Sequence, residues 1–303
     1  MINTAIALAK GIVGDMNAIT NEPMSAHTTF KIGGPAELYV APQNINGLIA
    51  VIKMFRKIGI EYHIIGNGSN LLVGDKGVRG AVIEIGKSLG EIEISGDTVT
   101  AQSGVLLSKL ANSTARNGLS GLEFASGIPG SLGGAVYMNA GAYGGEMKDV
   151  ITKVTYLDDN CEVQKLTADK CDFGYRHSFF SDKNYVILSA EMKLMHKSMS
   201  LILEDIKALS EKRISKQPVD KPSAGSTFKR PTGYFAAALI EEAGLKGYTV
   251  GGASVSEKHS GFVVNNGGAT AEDVMNVITH VQKTVFEKKG VKLETEVKMI
   301  GEF

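Results

Sequence analysis

Ile2, Ile6, Ile12 and Val13 recur at roughly helical spacing, which predicts an amphipathic helix over residues 3–14. Asn44 opens a second helix: its side chain suits an N-cap, and Ile45, Leu48, Ile49, Ile52 and Phe55 form one apolar face. Leu106–Asn117 reads as a third, stopped by Gly118. Between these stretches apolar and polar residues alternate. Strands are expected near Ala36–Ala41, Tyr62–Ile65 and Val78–Ile85. Glu91–Ile94 and Thr98–Ala101 flank Ser95-Gly96-Asp97, a hairpin pattern. Ile151–Leu157 and Glu162–Leu166 repeat it around Asp158-Asp159-Asn160, and Tyr185–Met195 alternates again.

Near residue 197 the pattern changes. Leu201–Lys216 is a long, charged amphipathic helix, and Pro218 and Pro222 mark a rigid exit from it. Helices at about 234–243 and 271–289 follow, the latter capped by Thr270 and stopped by Gly290. Short strands are expected near Val250–Val255 and Gly261–Val264. Leu293, Thr295, Val297 and Met299 alternate with Lys292, Glu294, Glu296 and Lys298, so Val291–Ile300 reads as a terminal strand. The class is α+β, with a domain boundary near 197.

Two segments fit neither period. Ser126–Gly145 holds seven glycines, Gly127, Gly130, Gly133, Gly134, Gly141, Gly144 and Gly145. That is too many for an ordinary helix or strand, where each costs up to about 1 kcal/mol. Ile128, Leu132, Val136, Tyr137 and Met138 make it too apolar for a linker. A buried Gly-rich segment brings backbone close to something: an anion held by N–H groups, or simply its own tightly packed turns. A second loop, Gly66-Asn67-Gly68-Ser69-Asn70, follows the strand ending at Ile65 and shifts the balance toward phosphate. Neither loop is GxGxxG opening a long helix, nor GxxxxGK[ST]. Two such loops suggest a diphosphate held between two subdomains.

Composition narrows the class. The chain has 303 residues, enough for two or three domains. Lys+Arg and Asp+Glu both number 32, so the formal net charge is zero, which argues against a general nucleic-acid binder. Cys161 and Cys171 lie ten apart with no His nearby and read as reduced thiols. The six histidines are scattered and form no metal-ligand pattern. The N-terminus lacks a basic region, and no segment approaches the ~20 apolar residues of a membrane span. A cytoplasmic protein is expected.

Five stretches in register carry a resemblance that covers essentially the whole chain. Gly66–Leu72, Ser126–Gly134, Tyr175–Ser178, Ala224–Pro231 and Leu293–Val297 resemble motifs of the UDP-N-acetylenolpyruvoylglucosamine reductase (MurB) family, in its shorter variant. The resemblance implies an FAD-binding domain of the vanillyl-alcohol-oxidase/p-cresol-methylhydroxylase type over residues 1–197. Its two α+β subdomains would span about 1–80 and 81–197. A C-terminal α+β substrate domain would span 198–303, its last strand (about 291–300) packing back toward the flavin. It also implies an oxidoreductase of peptidoglycan synthesis, with roles in cell shape and division. NADPH would reduce FAD, which then reduces the enolpyruvyl ether of UDP-N-acetylglucosamine to UDP-N-acetylmuramate. The partner is thus a small-molecule UDP-sugar, with no nucleic acid and no membrane. Oligomeric state stays open, a monomer being favoured.

Carried over residue by residue, the resemblance makes Arg176 the grip on the substrate carboxylate, Ser226 the proton donor, and Glu296 the group that orients or helps protonate the intermediate. Taken by themselves, these would be a surface ion-pair arginine, a turn serine and a solvated glutamate. FAD contacts fall on Gly66, Asn67, Gly68, Ser69, Asn70 and Leu71, and on Ser126, Gly127, Ile128, Pro129, Gly130, Ser131, Gly133 and Gly134. Tyr137, Asn139 and Ala142 continue that wall. Tyr175, Lys216, Lys229, Arg230 and Asn265 are substrate-contact candidates. No Cys or His lies in the flavin loops, so non-covalent FAD is expected. The alternatives are a flavin oxidase of the same fold acting on an alcohol or hydroxy acid, and a non-catalytic nucleotide-binding module.

Overall fold

Alternation at positions such as Val99, Ala101, Val154, Tyr156, Ala190 and Met192 gives a sheet with one buried face. In the computed structural model, which describes residues 1–181 and 183–303, five antiparallel strands form it. Their order is Val163–Thr167, Ile151–Leu157, Val186–Lys193, Thr98–Gln102 and Ile92–Ser95. Helix Leu107–Arg116 contributes Leu107, Leu110 and Ala111 to the core on this sheet, and the short helix Leu132–Tyr137 contributes Leu132 and Val136. Burial raises the Cys171 thiol to about 11, so it stays protonated at neutral pH.

Helix Ile2–Val13 packs on helix Ile45–Ile58. Asn44 caps the latter by accepting from Gly47 N at 2.9 Å, and Gly59 ends it at φ 70. Arg56 of that helix donates to the carbonyls of Asp158, Asp159 and Asn184, tying it to the Asp158–Asn160 turn. These elements belong to one compact unit, made of Met1–Ile19, Tyr39–Asn67 and Val82–Lys212.

The second unit comprises Thr20–Leu38, Gly68–Ala81 and Arg213–Phe303. Its core joins Phe30, Ile32 and Leu72 to Val274, Val277, Ile278 and Val281 of helix Ala271–Lys289. That helix packs on a three-stranded antiparallel sheet of Thr249–Val250, Ala253–Val255 and Val263–Asn265, and helix Ala236–Glu242 packs on the helix. Strand Lys298–Ile300 runs parallel to Leu71–Val73. Ala18–Pro23, Pro35–Val40, Tyr62–Ile65 and Val78–Glu84 are strands as well.

Thr270 and Asp273 form a reciprocal capping box at the start of the 271–289 helix. Thr270→Ala is expected to lower stability at pH 7 by about 1 kcal/mol, read by urea unfolding. The amides of Thr270 and Gly252 hold the Asp273 carboxyl below its usual range. Its folded value is the lower one, so its stabilisation is present above the ordinary carboxylate value near ~4 and fades as pH falls through the folded value. Asp273→Asn should remove that part of the acid dependence, and an unchanged acid profile would contradict the assignment.

Two sequence expectations are corrected. The glycine-rich segment does contain a helix, Leu132–Tyr137, because Leu132, Ala135 and Val136 are buried and packing outweighs propensity. The terminal strand is confined to Lys298–Ile300. Residues 291–297 carry only an isolated bridge from Thr295 to Phe228, so their alternation reflects one-sided burial of Leu293 and Val297. Strand Ala18–Pro23 and the small hairpin of Gly141–Ala142 with Gly145–Glu146 were not anticipated. The compact units are discontinuous in sequence.

Candidate functional site

In the first unit the two glycine-rich loops meet. A Cβ on Gly66 would lie 2.2 Å from Ser131 Oγ, and Asn67 Nδ2 donates to Pro129 O at 2.6 Å. Gly133 N donates to Ser103 O at 2.8 Å, and its Cβ position lies 2.9 Å from Ser103 Cβ. Leu132 N bonds Val105 O, and Leu107 N bonds Gly130 O. The Ser126–Gly134 turn is thus clamped between the end of strand Thr98–Gln102 and the 66–67 loop. Ser103 Oγ is buried there without a hydrogen-bond partner among the described residues. Gly134 differs from its neighbours. It is exposed, and an added Cβ meets nothing nearer than Ser131 Oγ at 3.8 Å.

The same segment continues into the residues around Arg176. Gly174 and His177 exchange backbone hydrogen bonds at 3.0 and 3.3 Å, closing a turn over Tyr175 and Arg176. Arg176 adopts φ +54, a left-handed conformation uncommon outside glycine. Its guanidinium lies 5.1 Å from the Tyr175 ring centroid and makes a long 3.5 Å contact from Nη2 to Gly141 O. The Lys148 ammonium at 2.7 Å holds the Glu146 carboxyl below its usual range, with the Asn139 amide and the charge of Arg176 adding to the effect. Tyr137 O accepts from Ser178 Oγ and Ser181 Oγ, docking the loop beyond the turn.

In the second unit, residues 226–229 run beside 294–296. Glu296 N donates to Thr227 O at 2.8 Å, and Lys229 N donates to Glu294 O at 2.9 Å. Glu296 therefore lies opposite Thr227, the immediate neighbour of Ser226. Thr227 is locked on its other side: its N–H donates to Gly261 O at 2.8 Å and its Oγ1 accepts from Val263 N at 2.9 Å. Gly225 supplies positive φ just before Ser226. Asn70 Nδ2 donates to Glu296 O at 3.2 Å, and Lys298 N donates to Asn70 O at 2.9 Å. The Gly68–Leu71 loop is thereby fixed beside Glu296. Ser226 and Glu296 are both half-buried.

The placement sorts the sequence candidates. Ser226, Glu296, Asn70 and Lys229 come together in the second unit, and Arg176, Tyr175, Gly66, Asn67, Pro129 and Ser131 belong to the first. Lys229 Nζ lies 3.3 Å from Glu294, Arg230 stacks 4.4 Å from the Phe235 ring centroid, and Lys216 is exposed at the end of helix Met199–Lys216. Asn139, expected in the cofactor wall, has its side chain engaged in hydrogen bonds within the chain. It is fully buried, with its amide bonded to Glu146 and Gly174 and its Oδ1 accepting from Lys148 N. Asn265, a substrate-contact candidate, likewise has its side chain bonded within the chain. Its Nδ2 donates to Phe30 O and its Oδ1 accepts from Gly267 N and Ala269 N. The Tyr137 hydroxyl is engaged with Ser181 O. Gly68 has an internal reason to be glycine: φ +60, with its Cβ position 2.0 Å from His27 O. Ser103 and Glu146 also line these stretches. The Ser103-Gly104 turn signal after a strand pointed to the first, and nothing local pointed to the second.

Two family descriptions match the chain. "UDP-N-acetylenolpyruvoylglucosamine reductase, C-terminal domain" matches residues 217–300, and "FAD binding domain" matches residues 36–167. A UDP-N-acetylenolpyruvoylglucosamine reductase of Agathobacter rectalis is 52% identical over 300 residues, covering 95% of each chain. The crystal structure of the reductase (MurB) of Thermus caldophilus superposes with TM-score 0.80 at 34% identity, over 93% of this chain and 98% of that one. p-Cresol methylhydroxylase shares the fold at TM-score 0.50 and 17% identity, over 97% of this chain and 65% of that one.

Proposed function

We propose that this chain, which belongs to the UDP-N-acetylenolpyruvoylglucosamine reductase family, uses NADPH and FAD to reduce UDP-N-acetylglucosamine enolpyruvate to UDP-N-acetylmuramate. The observation that supports this reading beyond family membership is the pairing of residues 226–229 with 294–296, in which Glu296 N donates to the carbonyl of Thr227, the residue after Ser226. The reaction adds hydride to a vinyl carbon, and negative charge then builds on the adjacent carbon and its carboxylate. The chain must neutralise that charge and protonate that carbon.

The residues around the glycine loops fit FAD. Gly66 and Ser131 hold two backbones in close approach, Ser103 offers a buried hydroxyl without a partner among the described residues, and an added Cβ at Gly134 would meet nothing nearer than 3.8 Å. FAD, when bound, supplies the two-electron store between NADPH and substrate. Gly66–Leu71 and Ser126–Gly134 would hold its diphosphate, with Ala142 continuing the wall. The run of Lys298–Ile300 beside Leu71–Val73 supports a last strand that returns toward the flavin loop.

Arg176 is assigned to the substrate carboxylate, where a guanidinium can also take up developing charge. Ser226 gives its hydroxyl proton to carbon. A serine is a weak acid, but an enolate carbon is basic enough to take the proton. Glu296 orients that hydroxyl or shares the proton. Lys216, Lys229 and Arg230 are assigned to the diphosphate side, and Tyr175 to the pocket wall beside Arg176. The flavin-oxidase alternative is less well supported. Among the described residues no helix is long and apolar enough to cross a membrane. The proposal places the enzyme in cytoplasmic peptidoglycan-precursor synthesis, and through it in cell shape and division.

NADPH should bleach the purified yellow protein under anaerobic conditions, and the enolpyruvyl substrate should restore the colour without oxygen. Colour that returns only with air would favour an oxidase. Acid precipitation should leave all the flavin in the supernatant, since no Cys or His lies in the 66–71 or 126–134 loops. Flavin in the pellet would contradict a non-covalent cofactor.

A further inference from the structure

We propose that Asn139 is a positioning residue for Arg176, acting through the backbone of the turn that carries it. The inference rests on the assignment of Arg176 to the substrate carboxylate. Arg176 occupies the third position of the Gly174–His177 turn at φ +54. A turn with positive φ there ordinarily takes glycine or asparagine, and a side chain with a Cβ costs about 1–2 kcal/mol. Such a conformation persists where surrounding structure holds it in place.

Asn139 is the group that holds it. Its Nδ2 donates to Gly174 O at 3.0 Å, so it grips the carbonyl at the base of the turn. The same Nδ2 donates to Glu146 Oε2 at 3.0 Å, and Oδ1 accepts from Lys148 N at 2.9 Å. One side chain thus fastens the Arg176 turn to the Gly141–Glu146 hairpin. That hairpin presents Gly141 O to the Arg176 guanidinium and carries the Glu146 carboxylate whose charge acts on it. The site demands two donors and one acceptor at once. An asparagine meets this demand, whereas an aspartate has no donor and a leucine has neither. Asn139 itself adopts φ 44, which asparagine tolerates better than most residues. Because Asn139 is fully buried, water does not replace the lost bonds when it is removed. Its position in the glycine-rich segment is therefore explained by aim rather than by cofactor contact.

The test compares Asn139→Ala and Asn139→Asp with Arg176→Ala and with the Asn139→Ala/Arg176→Ala double variant. Asn139→Asp keeps the acceptor for Lys148 N and tolerates the positive φ better than alanine, while its carboxyl group replaces the donors and faces Glu146, so it serves as the second variant where the alanine variant folds poorly. The expected result for either single variant is full FAD content, flavin reduction by NADPH within about threefold of wild type, and a Kd for the enolpyruvyl substrate, by calorimetry on the oxidised enzyme, raised at least about tenfold. Substrate-driven reoxidation should slow by a similar factor. In the double variant the two losses should not add, because both act through one group. Additive losses, or equal slowing of both half-reactions with loss of FAD, would overturn the proposal by making Asn139 a general scaffold residue. Arg176→Ala with normal substrate affinity and reoxidation would instead overturn the underlying assignment of Arg176, and this inference with it.

Discussion

Ser226→Ala is expected to bind FAD and to be reduced by NADPH at a near-normal rate, and then to be reoxidised by the enolpyruvyl substrate at least 10²–10⁴-fold more slowly, the range typical of a lost general acid. The asymmetry follows from proton bookkeeping. Taking hydride from NADPH requires no proton on carbon, whereas saturating the enolpyruvyl group requires one. The structure makes the substitution a clean one. Ser226 lies between Gly225, which sets the turn, and Thr227, whose N–H and Oγ1 are fixed to Gly261 and Val263. The backbone at 226 is thus held by its neighbours and not by its own hydroxyl. Glu296→Gln should show the same asymmetry more weakly, and its fold should hold because the bond from the 296 N–H to Thr227 O is main-chain. Anaerobic stopped-flow separates the two steps. Equal slowing of both would mean that Ser226 shapes the common site, and that the proton comes from elsewhere.

Local patterns in the chain carried much of the fold. Asn44 and Thr270 cap helices as their side chains suggest, and Gly59 and Gly290 end them in left-handed geometry. The hairpins around residues 95–97 and 158–160 form with the expected strands. What the chain hides is non-local. Nothing near Gly68 announces that a Cβ there would strike the His27 carbonyl, or that residues 20–38 and 68–81 join the C-terminal stretch in one unit. Helix Leu132–Tyr137 was obscured because glycine propensity argues against it, and only the core that receives Leu132 and Val136 outweighs that penalty. The internal hydrogen bonds of Asn139 and Asn265 are not legible in the chain for one reason. A polar residue in a motif suggests ligand contact, and hydrogen bonds to distant backbone show only in three dimensions. Ser226 and Glu296 are 70 positions apart, and their two stretches meet through the Glu296–Thr227 hydrogen bond beside the Phe228–Thr295 bridge. Family resemblance could name them, but periodicity could not bring them together.

Gly134→Val is expected to reduce FAD occupancy below about one tenth while leaving the apo-protein at least as stable as wild type. The glycines around it do not allow so clean a test. Gly68 sits at positive φ against the His27 carbonyl, and Gly133 packs against Ser103, so substitution at either disturbs the fold before any cofactor is considered. At Gly66 an added Cβ would lie 2.2 Å from the Ser131 hydroxyl and 3.3 Å from Ser131 Cβ, so the second loop must give way. Gly134 is exposed, has ordinary helical φ, and meets nothing within 3.8 Å, so the folded chain itself gives no reason for glycine. Replacing glycine within a helix improves propensity, by about 0.3–1 kcal/mol across valine and alanine, so the apo melting temperature should hold or rise. A branched side chain would still stand where the backbone of this loop is proposed to approach the cofactor. Flavin absorbance per protein and thermal melting of the apo-form are read on the same samples. Full occupancy in the valine variant would show that the 126–134 turn serves packing alone, and would move the diphosphate to the 66–71 loop.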